Sequence, residues 1–373
     1  MDIICCDYKS DLAQEAFRLR YEVYSEEFGV NDVNINHEKR IYTDQNDRFA
    51  KIYLALKDGK AIATVRSISS VDCDFSKLIS PHMYKALYLD DFIENQAGRI
   101  AVSDKFAISP DSRGSIAASR VTQRMYQDYL EDDTNFVFCW CAPYLFDFYL
   151  QLGFHSYSES VCDRHGFWTP MVLPVRDLQH LKSIKSSLYR QLEAVTIPGE
   201  IHPSVEWFYR RYSESIERFV SKKDTRALEL ILDITRENTV RGHFNILGGM
   251  TESDVTDLIN SAIIMNVSSG QEVMKNGQVN DEMFLILEGE VIFSLDESSV
   301  PLQCLTKGQI FGEISMLTRA LRSGYLFASV DAKLAVISRQ SLAKLMKTNA
   351  DLAAKILLNL SRSLALKLQK AQI

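Results

Sequence analysis

Between Gly270 and Gly324 glycines cut the chain into apolar runs only a few residues long, and no long helix can form across them. Gly270 and Gly277 bracket one such run. Met283 to Phe293 reads as two strands joined at Glu288-Gly289, and Leu302 to Leu305 and Lys307-Gly308 follow. Strands this short, with turns this frequent, predict a small barrel or jelly roll. A helix from about Ser338 closes the chain, with Leu345, Leu352, Ile356, Leu360 and Leu364 on one stripe. That stripe can cover the barrel or pair two chains as a homodimer.

The chemistry of this region sits between Phe311 and Gly324. A strand ends at Phe311, and Gly312 lets the backbone approach a ligand closely. Glu313 to Leu317 can make one helical turn whose free N–H groups face outward as an anion site. Arg322 follows ten residues after Gly312, far enough for the chain to fold back, and its guanidinium can clamp both exocyclic oxygens of a phosphate. Glu313 beside a phosphate site makes sense if it accepts a sugar hydroxyl. On the residues alone, a structural ion pair between Glu313 and Arg322 accounts for them equally well.

The stretch from Phe244 to Leu368 resembles the cyclic-nucleotide-binding domain of catabolite activator proteins and of protein kinase regulatory subunits. The family's phosphate-binding cassette runs without insertion through Phe311, Gly312, Glu313, Ile314, Ser315, Leu317, Arg322, Ser323 and Gly324. The resemblance implies that Glu313 binds the ribose 2′-OH and that Arg322 and Ser323 hold the cyclic phosphate, helped by the amides of Ile314 and Ser315. Cyclic AMP is the first expectation and cyclic GMP the second; cyclic di-GMP also binds some family members. Leu321 and Tyr325 stand where the family often has proline and a small residue. Asn359, Ser361 and Arg362 lie in the final helix, which in the family often caps the base. No helix-turn-helix follows that helix before Ile373, so DNA is not expected as a partner.

Upstream the periodicity changes. Leu12, Ala16, Leu19 and Val23 have helical spacing within residues 11–28. Residues 52–56 and 61–68 read as a β-hairpin turning at Asp58-Gly59. A strand at Phe106 to Ser109, a helix from about Ser115 to Leu130, a strand at Phe136 to Cys141, and a helix from Pro143 to Leu152 ended by Gly153 complete an α+β pattern. This predicts a mixed sheet with helices packed on it. Pro198-Gly199 and Pro203 then open a charged helical stretch. The expected organisation is a domain at residues 1–197, a helical connector at 198–237, and the binding domain at 238–373.

Ala107 to Ala118 resembles the acyl-CoA-binding loop of the GNAT acyltransferases: Arg113, Gly114 and Ala118 match the pattern, with Ile116 in place of a glycine. Phe148-Tyr149 with Leu152-Gly153-Phe154 matches a later segment of that superfamily. The helix Phe17 to Tyr24, followed by Glu27, Phe28 and Gly29, is similar to the first helix of acyl-homoserine-lactone synthases and N-acyl amino acid synthases. An acidic loop with Asp44 and Asp47, the hairpin end Ala63 to Arg66, the segment Ser103 to Ile108, and His165-Gly166 with Thr169-Pro170 continue the similarity. This implies transfer of an acyl chain from acyl carrier protein or acyl-CoA to an amine. Backbone amides at Phe106 to Ile108 would stabilise the oxyanion, and Asp104 or Ser103 would stand near the base position. Arg113 and Gly114 would contact the acyl donor. Arg20, Asp44, Asp47 and Arg66 would bind substrate, the arginines a phosphate or carboxylate and the aspartates a cationic group. Surface charge is the competing account for all four.

Composition limits the rest. The chain carries a formal net charge of -7, so nucleic acid and anionic membranes are poor general partners. No run is long enough to span a bilayer, and the start, MDIICCDYKS, is not a signal peptide. The seven cysteines include Cys5-Cys6 and the Cys139/Cys141 pair, none with zinc-ligand spacing, so no metal site is expected and a reducing cytoplasm is. The reading is a cyclic-nucleotide-regulated N-acyltransferase. Its rival is an effector that has lost chemistry and acts through protein partners.

Overall fold

The computed structural model describes residues 1–30, 32–95, 98–158, 160–163, 166–197, 199–219, 225–241, 246–277, 281–296 and 301–371. His165, Pro198 and Phe244 of the sequence motifs lie outside them. The chain divides into two compact units. One comprises Met1–Cys141, Asp147–Ser158 and Pro170–Ile216; the other comprises Ala142–Phe146, Glu159–Thr169 and Glu217–Ile373.

In the first unit the hairpin forms as Ala50–Lys57 and Lys60–Ser69. Asp58 and Gly59 both have positive φ, 53° and 77°, the geometry a two-residue turn between twisted strands requires. The sheet order is Asp2–Cys6, Ala50–Lys57, Lys60–Ser69, Arg99–Ile108, Thr134–Cys141, Gly166–Pro174, His155–Ser156. Side chains alternate across it. Ile52, Leu54 and Leu56 pack on the helix Ala13–Arg20. On the other face, helix Ala117–Glu131 meets Tyr53, whose hydroxyl bonds Asp128 at 2.8 Å, and Ser67, which accepts from Tyr129 at 2.7 Å. The first helix reaches Glu27 as expected, but its last seven residues, Tyr21–Glu27, are a π-helix.

The boundary between the two units falls within the 198–237 stretch. Its two helices belong to different cores, because each carries its own apolar face. In Pro203–Phe219, Phe208 and Tyr212 join Phe92, Phe136 and Tyr157. In Thr225–Arg241, Ala227, Ile231 and Ile234 join Leu258, Leu285 and Ile356.

The second unit contains the expected jelly-roll-like sandwich. One sheet runs Ile263–Val267, Ala332–Ser338, Glu282–Glu288, Ile310–Phe311; the other runs Glu272–Met274, Tyr325–Ala328, Glu290–Ser294, Gln303–Thr306. Phe284 and Ile286 point between the sheets, while Met283, Leu285 and Leu287 point at the helices. This strand is buried on both faces and therefore reads as an unbroken apolar run. The final helix, Ala350–Ala371, places Leu352, Ile356 and Leu360 in that helical core, whereas Leu366 and Leu368 are exposed. No helix among the described residues is long and apolar enough to cross a membrane.

Gly289 joins the two sheets. Its φ is 85°, and a Cβ there would stand 2.4 Å from the Asp331 carbonyl oxygen. Gly289→Ala is expected to cost roughly 2 kcal/mol or more. The readout is faster amide hydrogen exchange across Glu282–Glu288, with exchange in the Ala50–Lys57 strand unchanged.

Candidate functional site

The cassette folds as its residues dictate. Gly312 has φ 80°, and the helix Glu313–Thr318 starts directly after it with no side chain capping its first amides. Gly312 is needed for a second reason: a Cβ there would lie 2.5 Å from Arg322 Nη1. Arg322 is 3% exposed. Its Nη1 donates to the Gly312 carbonyl at 2.6 Å and its Nη2 to the Glu282 carbonyl at 2.6 Å. The guanidinium is thus held rigidly beneath the short helix. Ile314 and Ser323 are exposed, and Ser315 is buried. Glu313 is 2% exposed, and its carboxylate takes the Lys367 ammonium of the final helix at 2.7 Å. Sequence reasoning missed Lys367, because nothing local links residues 54 positions apart. It also missed Glu282, which is buried beside Arg322. Burial pushes the Glu282 carboxyl up to about 7, against the pull of Arg322. Asn359, placed by sequence in the capping helix, instead donates to the Ile246 and Gly248 carbonyls at 2.9 and 2.8 Å and is a packing residue.

The first unit brings together residues from four separate segments. Arg66 donates to both oxygens of Asp104 at 2.6 Å, pairs with Asp44, and lies 3.2 Å from Asp47. Asp47 also takes Arg20 at 2.7 Å. Burial alone would raise the Asp47 carboxyl; Arg20 and Arg66 instead hold it well below the usual range. Asp44 is lowered too, Arg66 and Lys105 outweighing burial. The four residues expected to bind substrate are therefore one buried network. Arg20 and Arg66, at 0% and 1% exposed, are sealed from direct contact with a large donor.

Ser103 and Asp104 lie on opposite faces of the sheet. Ser103 Oγ contacts Met125 Sδ of helix Ala117–Glu131, and Asp104 meets Arg66. Alternation would return Lys105 to the Ser103 face. It does not return, because Lys105 has φ 52° and two residues, Lys105 and Phe106, oppose the single Val65 in the pairing with the neighbouring strand. The bulge turns Lys105 to the Asp104 side, where its ammonium bonds the Tyr42 hydroxyl, lies 3.7 Å from that ring's centre, and is 3.5 Å from Asp44 Oδ2. Burial and Arg66 push Lys105 down to about 8. Sequence patterning passed over this residue, since a bulge has no signature in hydrophobic period.

Ahead of the bulge the sheet opens. Arg99–Ile108 pairs with Thr134–Cys141 as far as Val102 and Phe138, and both strands continue past that point. The Tyr24 hydroxyl donates to the Phe106 carbonyl at 2.9 Å, and the Phe106 ring stacks on Phe148. Arg113 is engaged bidentately by Glu27, and Gly114 has open space where a Cβ would be. Helix Ala117–Glu131 begins beside this loop, and its first amide, that of Ala117, donates to Ser115 Oγ at 3.3 Å. Among the described residues no cluster could hold a metal ion.

Two family models match the chain. Residues 15–174 match "N-acyl amino acid synthase FeeM", and residues 264–349 match "Cyclic nucleotide-binding domain". The chain joins a domain of each family. A cAMP-dependent protein kinase regulatory subunit from Mucor circinelloides f. lusitanicus is 34% identical over 79 residues, covering 21% of this chain and 18% of that protein. The cGMP-dependent protein kinase egl-4 of Caenorhabditis briggsae is 26% identical over 117 residues, covering 31% and 15%. The chain thus spans less than a fifth of these relatives' length. Among solved structures, a cyclic nucleotide-binding domain from Methylobacillus flagellatus is 24% identical with a TM-score of 0.34, covering 39% of this chain and 80% of that one. The Thermus thermophilus catabolite activator protein is 22% identical with a TM-score of 0.31, covering 34% and 59%.

Two outcomes follow for the cassette. Calorimetry with cyclic AMP and cyclic GMP should find binding weakened roughly a hundredfold by Arg322→Ala, which removes charge-assisted bonds to phosphate, and tightened several-fold by Lys367→Met, which frees Glu313. Binding should also depend on pH. A phosphate beside Arg322 disfavours a charged Glu282, so affinity is full while Glu282 is protonated and falls as pH rises through about 7. Glu282→Gln should flatten that slope.

Proposed function

We propose that this chain is an N-acyltransferase controlled by a cyclic nucleotide. The observation that carries the reading is a cassette with Glu313 and Arg322 held in place, in the same chain as a synthase-family domain whose bulged strand opens beside a buried charge network. Cyclic AMP or cyclic GMP binds the cassette, with the ribose on Glu313 and the phosphate on Arg322, Ser323 and the amides of Ile314 and Ser315. The donor is a phosphopantetheine thioester, from acyl carrier protein or acyl-CoA. Its phosphate meets Arg113, Gly114 and the start of helix Ala117–Glu131. Its carbonyl lies along Phe106 to Ile108, where a GNAT-like splay leaves backbone donors for the oxyanion.

Asp104 has both oxygens on Arg66, so accepting a proton there means loosening that pair. This favours Asp104 as the residue that fixes Arg66, and it is also the observation behind the second reading, an effector without chemistry. Nucleotide control requires that the ligand prefer one of two states of the chain.

Thiol release from octanoyl-acyl carrier protein and from octanoyl-CoA, with mixed amino acids as acceptors, tests the reading. Release above background, changed several-fold by cyclic AMP or cyclic GMP in the wild type and insensitive to both in Arg322→Ala, is expected. No release from either donor would leave the effector reading standing.

A further inference from the structure

The synthase-family match covers residues 15–174, yet two pieces of that stretch, Ala142–Phe146 and Glu159–Thr169, belong to the second compact unit. The later piece carries Gly166 and Thr169 of the synthase-like motif, and the charge network makes no use of them. Within the second unit both pieces are built in. The strand Val161–Asp163 pairs with the start of Gly166–Pro174 and lies against the sandwich strand Glu272–Met274. Gln271, the residue before that sandwich strand, donates from its side-chain Nε2 to the Ser160 carbonyl. Its Oε1 accepts from the Ser268 amide at 3.0 Å, so the side chain is oriented at both ends. Ser160 Oγ in turn stands 3.1 Å from Thr169 Oγ1, and both residues are buried. The turn Pro143–Leu145 lies against Ala332–Ser338 and the helix Arg339–Thr348.

Each piece continues into an element of the first sheet. Residues 170–174, directly after Thr169, run beside Thr134–Cys141, and the Val175 amide donates to the Asn135 carbonyl at 2.9 Å. Thr134–Cys141 itself runs straight into Ala142, and its residues from Cys139 onward lie past its last pairing with Arg99–Ile108. After the turn, helix Phe146–Leu152 sets the Phe148 ring 5.1 Å from that of Phe106. The opening in the synthase-family sheet is thus framed by elements whose connecting turn is packed in the second unit. A buried strand and a short turn that starts with proline are stiff, and a displacement at one end is passed to the other.

The other end of the connection is the cassette. Ser323 and Gly324 lead into Tyr325–Ala328, which pairs with Glu272–Met274. The Ala328 amide donates to the Gln271 carbonyl at 3.0 Å, and the Gly277 amide to the Arg322 carbonyl at 2.9 Å. Gln271 therefore has its backbone on the strand that leaves the cassette and its side chain on the synthase-like hairpin.

We propose that Gln271 is the coupling residue of this chain: a nucleotide in the cassette displaces Glu272–Met274, Gln271 carries the hairpin of Val161–Asp163 and Gly166–Pro174 with it, and the opening beside Arg99–Ile108 changes width. The inference rests on the nucleotide-controlled acyltransferase reading and gives that control a route. Coupling of this kind requires that the hairpin contact differ between the nucleotide-free and nucleotide-bound states.

Gln271→Glu tests the route at nearly constant shape. It keeps Oε1 for the Ser268 amide and turns the donor to Ser160 into a second acceptor. Gln271→Ala removes both contacts. The full chain is used throughout, with octanoyl-acyl carrier protein or octanoyl-CoA as donor and cyclic AMP or cyclic GMP as effector. By calorimetry both variants should still bind nucleotide, with affinity within about fivefold of the wild type. The several-fold effect of nucleotide on acyl release should fall close to none in both. Hydrogen exchange supplies a readout that needs no acyl chemistry. In the wild type, nucleotide should change exchange about threefold or more in the cassette, in Thr134–Cys141 and in residues 171–173; in the variants only the cassette change should remain. Melting followed by circular dichroism checks that the variants fold. A nucleotide effect on Thr134–Cys141 that survives in both variants would overturn the proposal and leave the controlled acyltransferase standing. A wild type whose exchange changes in the cassette alone would also overturn it, whatever its acyl activity. No acyl release from either donor would remove the acyltransferase reading, while loss of the exchange change in the variants would still support Gln271 as the coupling residue. A wild type that binds neither nucleotide would remove both.

Discussion

The first unit depends on a fully buried guanidinium, Arg66, among three carboxylates. A charge this deep is tolerated only with partners in place, and removing one partner of such a group costs about 3–5 kcal/mol. The partners come from the loop bearing Asp44 and Asp47 and from the neighbouring strand bearing Asp104. Arg20, on the first helix, closes the set through Asp47. Satisfying one arginine therefore fixes the acidic loop against the sheet, the sheet against the helix, and the bulged segment against both. Asp47 contributes a further tie, accepting from the Asp44 amide at 2.9 Å while Asp44 accepts from the Asn46 amide at 2.9 Å. The loop is held by its own turn as well as by charge.

The second unit solves a similar problem with backbone. Arg322 is also nearly sealed, two carbonyls, Gly312 and Glu282, accept from it at 2.6 Å, and burial pushes the nearby Glu282 carboxyl toward its neutral form. A cation neutralised by carboxylates is poorly placed to attract an anion. One oriented by carbonyl dipoles keeps most of its charge for a phosphate. Arg66 thus organises the first unit, and in the proposed binding mode Arg322 would attract the phosphate.

What could be read from the sequence follows how local each site is. The cassette is contiguous: strand end, glycine, helical turn and arginine lie within fourteen residues, 311–324, and each makes its part of the geometry from its own backbone preference. The hairpin at Asp58-Gly59 was legible for the same reason. The synthase network draws on residues 20, 44, 47, 66, 104 and 105, and only the sheet register places Arg66 opposite Asp104. Resemblance could mark those residues but could not distinguish interior from edge, so buried arginines looked like substrate ligands. Lys105 was invisible for a sharper reason. Alternation assigns it to the wrong face, and the left-handed residue that reverses the assignment is a lysine rather than a glycine. The 198–237 helices read as a connector because charge is conspicuous in sequence, whereas Phe208, Tyr212, Ile231 and Ile234 declare their cores only once the partners are known.

The contact of Lys367 with Glu313 bears on how a small ligand could alter a chain of this size. A nucleotide shifts an equilibrium only by the difference in its binding energy between states, and a tenfold effect needs about 1.4 kcal/mol. Contacts made equally in both states contribute nothing to that difference. Arg322 is tied to two carbonyls of the sandwich, and a phosphate contact made there equally in both states would add nothing to the difference. Glu313 is different, since its buried carboxylate is shared between the cassette and the last turns of Ala350–Ala371. A ribose hydroxyl on that carboxylate competes with a charge carried by a helix, and competition of this kind separates two states energetically. In the proposed binding mode the arginine would therefore set affinity, and the glutamate would be where binding becomes a change in structure.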